Sequence, residues 1–247
     1  MTSSDDAPVQ KKRKLPWKQS YSKTSQIAVE KRIGISMADL ASAAISPEDM
    51  LVEIGYSLDE DTTKTIKDEV YNAIVRYLDV GTSPIDRLHF MEANVNDLVL
   101  FIIAPIIYEF KRRTGRKKVK LHREKKIISG DSKTGGYEEF VVVDAISSTE
   151  EKYILMVEAK RESLSAAMGQ CLLALKDMGD INHGGVVYGF VTRGDSWRML
   201  SYGGGSFRVT DKLHVVFETM GKNKDKWMRG YSFLVDCVYA ALSNGGS

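Results

Sequence analysis

Apolar positions recur at two different periods along the chain, and the changes between them outline its elements. Ile66, Val70, Ile74 and Leu78 return every fourth residue, which predicts a helix over about 60–79. A second helical pattern covers roughly 36–55, where Ser46-Pro47-Glu48-Asp49 has the form of an N-cap with proline at the first helical position. Gly81 and Pro84 end that region. A long apolar helix follows over about 88–113, with Pro105 as a point for a kink. The period then shortens, and strands are predicted at about 118–129, 137–146 and 152–160. "SLSAAMGQCLLALKDM" (163–178) returns to helix. "GVVYGFVTR" (185–193) and "SWRMLSY" (196–202) form a strand pair around the turn signal Gly194-Asp195. "KLHVVFE" (212–218) reads as one more strand, and a helix over 227–242 closes the chain. Trp197 and Tyr188 fall at core or sheet-face positions, and "GGGS" (203–206) reads as a turn, lacking the Gly-Lys-Ser/Thr of a phosphate loop. The order is that of an α/β domain with a mixed central sheet flanked by helices.

The segment before this domain is different in kind. Residues 1–33 are polar and basic and read as a disordered tail, 34–84 as a helical extension, and 85–247 as the main domain. Within the tail, Lys11, Lys12, Arg13 and Lys14 followed by Pro16 form a short basic cluster of nuclear-import type; a plain basic tail that helps hold nucleic acid is the other reading. The net charge of +2 conceals this unevenness. Residues 34–88 are acidic, with Asp59, Glu60 and Asp61 together as a solvated helix start. Lys111, Arg112, Arg113, Arg116, Lys117, Lys118, Lys120, Arg123, Lys125 and Lys126 make "KRRTGRKKVKLHREKK" a polycationic block, the footprint expected of a nucleic-acid partner. "LVLFIIAPIIY" (98–108) is too short to span a bilayer, and the N-terminus has no apolar segment of signal-peptide type. Cys171 and Cys237 sit in amphipathic helix patterns and read as reduced core residues. An intracellular, nuclear protein without a membrane partner is the expectation. His89, His122, His183 and His214 are scattered without ligand spacing, so zinc is not expected.

Candidate chemistry gathers at "YILMVEAKRE" (153–162), where a buried-looking strand runs into an acid and a base. Strand side chains alternate, so Glu158 and Lys160 share a face. A hairpin turn centred between Ser148 and Thr149 would put residues whose numbers sum to 297 opposite one another, and Glu139 then faces Glu158. Opposed carboxylates cost a few tenths to about 1 kcal/mol in a sheet, which a cation between them offsets. Hard oxygen ligands suit Mg²⁺, with Mn²⁺ as a substitute. By the same register Asp144 faces Tyr153, at the far end of the hairpin and on the other face from Glu139, so it reads as a turn residue.

"GYEEFVVVDAISSTEEKYILMVEAKR" (136–161) resembles the core hairpin of the PD-(D/E)XK nuclease superfamily: an acid on one strand, acid-X-lysine ending the next, then a helix. The resemblance extends over about 85–205 and implies a restriction-endonuclease-like core that hydrolyses phosphodiester bonds with a divalent metal. By position, Glu139 stands for the first acid, Glu158 for the second and Lys160 for the lysine. Gln170 stands where many members carry a glutamine facing the site, and Glu92 where related domains place a helical glutamate. The resemblance further implies that Glu139, Glu158, the Ala159 carbonyl and Glu92 hold the metal, that Lys160 attends the attacking water, and that the polycationic block grips the phosphate backbone of DNA in preference to RNA. Eukaryotic relatives include effector-like and mobile-element proteins. One departure stands out: the first acid is usually Asp, and here it is Glu139. An inactive nuclease-fold module that binds nucleic acid or a protein is therefore the alternative reading, and a monomer and a homodimer are both open.

Overall fold

The computed structural model describes residues 15–86, 88–147 and 150–246. Most helices of the N-terminal third begin where a side chain replaces a missing intrahelical partner. Ser25 caps α1 (Gln26–Ile33), Ser36 caps α2 (Met37–Ser42), Ser46 caps α3 (Pro47–Glu53) and Asp59 caps α4 (Glu60–Val80). The acidic cluster is thus Asp59 as cap, with Glu60 and Asp61 in the first turn, where the helix dipole favours them. The single helix expected over 36–55 is two. Between them Ile45 leaves the helix to hydrogen-bond with Val209 and Asp211, and Pro47 keeps Ser46 extended.

Then come α5 (Glu92–Thr114), β2 (Val119–Ile128), β3 (Thr134–Ala145), β4 (Glu151–Ala159) and α6 (Leu164–Ile181). They are followed by β5 (Val187–Thr192), β6 (Ser196–Gly203), β7 (Ser206–Val209) and β8 (Leu213–His214). Gly204 and Gly205, both at positive φ, make the tight turn from β6 into β7. The strand expected over 212–218 pairs with β6 only at β8. The closing helix is broken into α7 (Lys224–Gly230) and α8 (Phe233–Asn244). In α7 the Trp227 indole is fully buried and donates to the Val215 carbonyl at 2.9 Å.

The sheet is mixed and open. β2–β3–β4 are antiparallel, β4 and β5 run parallel, and β6 returns antiparallel. A parallel pair needs a crossover, and α6 supplies it. On one face α3, α4, α5 and α8 share an apolar cluster with Phe140, Val142, Leu155, Val157 and Trp197. On the other face α6 packs with α1 and α2 over Val141, Met156 and Val191. α6 lies so close to β5 that a Cβ on Gly189 would stand 2.6 Å from the Cys171 Sγ. Both cysteines are free and buried. α5 is long and apolar enough to cross a bilayer, but here its apolar residues, Leu98, Ile102, Ile103 and Ile106 among them, are core.

Residues 15–33 are not the disordered tail that composition suggests. Trp17 and Tyr21 are buried, and β1 (Gln19–Ser20) pairs parallel with Thr134 and Gly135 of β3. Gly135 already pairs with Ile128 of β2, so β1 takes the other edge of β3, the one β4 leaves when it ends at Ala159. The Tyr21 hydroxyl then reaches Asp177 of α6 at 2.7 Å. Helices α3 and α4, expected as an extension, contribute Met50, Ile66, Val70 and Ile74 to the same core as α5.

Candidate active site

The β3–β4 hairpin follows the expected register in its inner half: Phe140 pairs with Val157, Val141 with Met156 and Val142 with Leu155. The register slips by one between Val142 and Val143, so Asp144 faces Lys152 rather than Tyr153. Asp144 is nonetheless remote from Glu158. Arg116 holds it at 2.8 Å, at the opposite end of the hairpin.

Side-chain alternation breaks at a second place. Phe140 and Val142 face α5, so strict alternation would turn Glu139 toward α6 and Glu138 toward α5. The reverse is found. Glu138 is fully buried on the α6 side, where Tyr21, Cys171 and Gln170 surround it, while Glu139 lies by Asn96 of α5. Across the strand Glu124 adopts a left-handed backbone (φ 51°) and drops out of the ladder between Arg123↔Phe140 and Lys125↔Glu138. That conformation is uncommon for a side chain other than glycine, asparagine or aspartate and marks a local irregularity, which leaves the β2–β3 register unchanged on either side.

The break in alternation brings Glu138 against Glu158, one residue before the expected Glu139. Glu158 is fully buried, and the Lys160 Nζ stands 2.9 Å from its Oε1 and 3.3 Å from Glu92 Oε1. The Lys160–Glu158 contact is a close ion pair without the angle of a hydrogen bond. Both oxygens of Glu138, both of Glu158 and one of Glu139 have no well-aligned hydrogen bond, although Lys160, Gln170 and Asn96 stand close to them. Glu92, Glu139, Glu158, Lys160 and Gln170 all come together at the C-terminal end of β4, next to the parallel strand β5. Sheets of this kind place ligands at such strand ends. Glu138 and Asn96 join them. Both sit on predicted elements, but the break in alternation that aims Glu138 inward leaves no mark in the apolar pattern.

Burial drives the electrostatics. It raises the Glu138 carboxyl well above the ordinary glutamate range, and the neighbouring Glu158 charge adds to the effect. Glu139 is raised by burial, against the pull of Lys160. Burial works against the Lys160 ammonium too, but Glu158, Glu139 and Glu92 outweigh it and push its pKa up. Burial thus favours the neutral carboxyl at Glu138, and also raises Glu158, against the pull of the paired Lys160. A carboxyl that stays protonated in the folded state binds more protons there than in the unfolded chain. Stability falls as pH rises from about 4.3, where an unfolded glutamate ionises, through the folded pKa of Glu138. Glu138→Gln removes this contribution. In chelator, the stability gained by Glu138→Gln over wild type is expected to grow with pH, by up to ~1.4 kcal/mol per unit for one proton. Urea melts from pH 5 to 8 measure it, and a gain that is flat across that range would mean Glu138 ionises normally.

Among the described residues no three His, Cys, Asp or Glu side chains stand close enough to enclose a cation on their own. Mg²⁺ does not need such a cage: it keeps several waters and is held through one or two carboxylates and substrate phosphate. Buried carboxylate oxygens without well-aligned hydrogen bonds, all of them hard ligands, fit that ion.

The polycationic block is divided. Arg123, Lys125 and Lys126 run along β2 beside Glu138 and Glu139, with the Arg123 Nε donating to the Glu139 carbonyl at 3.2 Å. Its first part lies elsewhere. Lys111, Arg112 and Arg113 end α5, whose 23 residues span roughly 34 Å from Glu92. Much of the block is engaged internally: Arg112 and Arg113 with Glu109, Arg116 with Asp144, Lys125 with Glu151, and Lys118 with the Ile146 carbonyl. Arg123 lies over the Phe140 ring at 4.1 Å. Lys117, Lys120 and Lys126 are exposed along the same edge. Lys11, Lys12, Arg13 and Lys14 lie outside the described residues. No protein-family model matches this chain, and the comparison with curated proteins returns no match.

Proposed function

We propose that this protein is a metal-dependent nuclease that hydrolyses phosphodiester bonds in DNA, built on a restriction-endonuclease-like core formed by α5, β2, β3, β4, α6 and β5. The observation that carries the reading is the convergence, at the end of β4, of buried carboxylates without well-aligned hydrogen bonds and a lysine 2.9 Å from one of them. An isolated ion pair at a strand end would be solvated, whereas here the fold removes Glu138 and Glu158 from water altogether. Such an arrangement is costly unless something positive completes it.

Glu158 with Glu138 or Glu139, and the carbonyl of Ala159, would hold Mg²⁺. When bound, the metal supplies Lewis-acid stabilisation of the phosphoryl oxygens and lowers the pKa of a bound water. Lys160 orients the water and meets the negative charge that develops on the phosphate. Glu92 positions Lys160 from the first turn of α5. Gln170, facing Glu138 from α6, fixes that carboxyl, and the surrounding apolar core excludes bulk water from the acids.

The direct test is incubation with supercoiled plasmid, linear duplex, single strands and RNA in Mg²⁺, Mn²⁺ or chelator. Cleavage is expected with either metal and none in chelator. Lys160→Ala is expected to lower it by about 10²–10³-fold, the scale of removing one transition-state interaction. If wild type is as inert in metal as in chelator, the nuclease reading fails. Salt-sensitive binding by an inert protein would instead identify a nucleic-acid-binding module.

A further inference from the structure

A groove of about 740 Å³ opens beside the acids on the α6 face, and its far wall is made by α1 and α2. Lys160 and Gln170, the side chains that touch Glu158 and Glu138, form its inner end. Two more cations line it, Arg198 of β6 and Lys212 just before β8. Arg198 is half-buried, and neither it nor Lys212 has an ion-pair or hydrogen-bond partner among the described residues. Arg32, Lys67 and Arg116, comparably half-buried, are matched by Asp177 and Asp131, by Asp236 and by Asp144 in turn. A guanidinium withdrawn from water without a carboxylate is expensive unless an anion arrives from outside. The opposite wall is apolar and flexible, with Met37 and Met168 facing the space.

Size narrows the occupant. The volume is that of a small-molecule pocket, roughly 300–1,000 Å³. A duplex, whose major groove alone is ~12 Å wide, is too broad to enter it. One strand carries what the walls ask for: phosphates for the cations and base faces for the methionines. Unpaired bases bind proteins through such apolar faces alongside backbone charge. We propose that the groove takes a single unpaired DNA strand, with Arg198 and Lys212 holding the phosphates next to the one at Lys160. This rests on the nuclease reading and specifies its substrate class: strand ends, flaps or single-stranded stretches. It also gives the N-terminal segment a task, since without α1 and α2 the groove has only one wall.

The test reads binding apart from cleavage. Fluorescence anisotropy in chelator would compare a labelled 12-nucleotide oligothymidylate with a 12-base-pair duplex on the full-length protein. The single strand is expected to bind at least about tenfold more tightly. The Arg198→Ala/Lys212→Ala double variant, checked for folding by its thermal melt, is expected to bind about tenfold or more weakly. Its slope of log K against log salt should fall by ~1.4, or ~0.7 for each single-strand phosphate that the protein no longer neutralises. Equal or tighter duplex binding overturns the proposal, and so does unchanged binding by the double variant. If the groove binds as expected but the bound strand survives in Mg²⁺, the nuclease reading fails and the strand site stands. If cleavage occurs while the double variant binds normally, the groove assignment fails alone.

Discussion

Glu158→Gln is expected to lower Mg²⁺-dependent strand cleavage by about 10³-fold or more while leaving the folded protein at least as stable as wild type. The substitution keeps shape and removes charge from a side chain with no exposed surface. Loss of a metal-holding carboxylate raises the barrier by at least ~4 kcal/mol at that fold-change. Replacing a buried charge by a neutral isostere relieves desolvation, although Lys160 then loses one partner and keeps Glu92 and Glu139. The two readouts separate damaged chemistry from damaged folding. Activity within tenfold of wild type would remove Glu158 from the reaction. Glu138→Gln and Glu139→Gln, assayed beside it, decide which acid is its partner. The lack of well-aligned hydrogen bonds to Glu138 and its contact with Glu158 predict the larger loss there.

Asp177→Ala is expected to cost about 3–5 kcal/mol of unfolding free energy, the scale of breaking a buried charge pair. The Asp177 carboxylate has no exposed surface and joins three segments. It accepts from the Tyr21 hydroxyl at 2.7 Å and the Thr134 hydroxyl at 2.8 Å, and it pairs with Arg32 at 2.9 Å. Removing it leaves two buried hydroxyls and a guanidinium short of a partner at the point where the N-terminal segment meets α6 and β3. At roughly 2–4 °C per kcal/mol for a chain of this size, the melting midpoint should fall by about 10 °C. Limited proteolysis should cut before residue 34 earlier than in wild type, because α1 loses its anchor. Thr134→Val removes one of the three interactions and is expected to cost only about 1 kcal/mol. A loss below ~1 kcal/mol for Asp177→Ala would show that β1 and the Trp17 packing hold the segment without it.

The periodicities at Ile66–Leu78, over 119–159 and over 163–202 were sufficient for α4, the hairpin, α6 and the β5–β6 pair, because burial of one face imposes a period on the chain itself. The triplet Glu158-Ala159-Lys160 at a strand end was legible for the same reason, because alternation is local, whereas Gln170 and Glu92 were singled out only by the resemblance to a known hairpin. What the chain alone concealed were departures from period. The slip at Val142/Val143 moves only the turn end of the hairpin, and near the left-handed Glu124 side-chain alternation breaks, so that Glu138 stands beside Glu158. Tyr21, distant in sequence, packs near that carboxyl.

The N-terminal segment shows the same division. Its composition is polar, and nothing local holds it; the vacant edge of β3 and the buried Asp177 do. The groove wall, the unpaired Arg198 and the distance between the α5 end of the polycationic block and Glu92 likewise follow from packing. Sequence by itself determined the elements, the chemistry carried at the end of β4 and the hairpin that presents it, since each is fixed by spacing within a few residues. Which acid meets Glu158, and what forms the walls around it, only the tertiary structure decided, because the first turns on a local break in alternation and the second joins α1 and α2 to residues more than a hundred positions away.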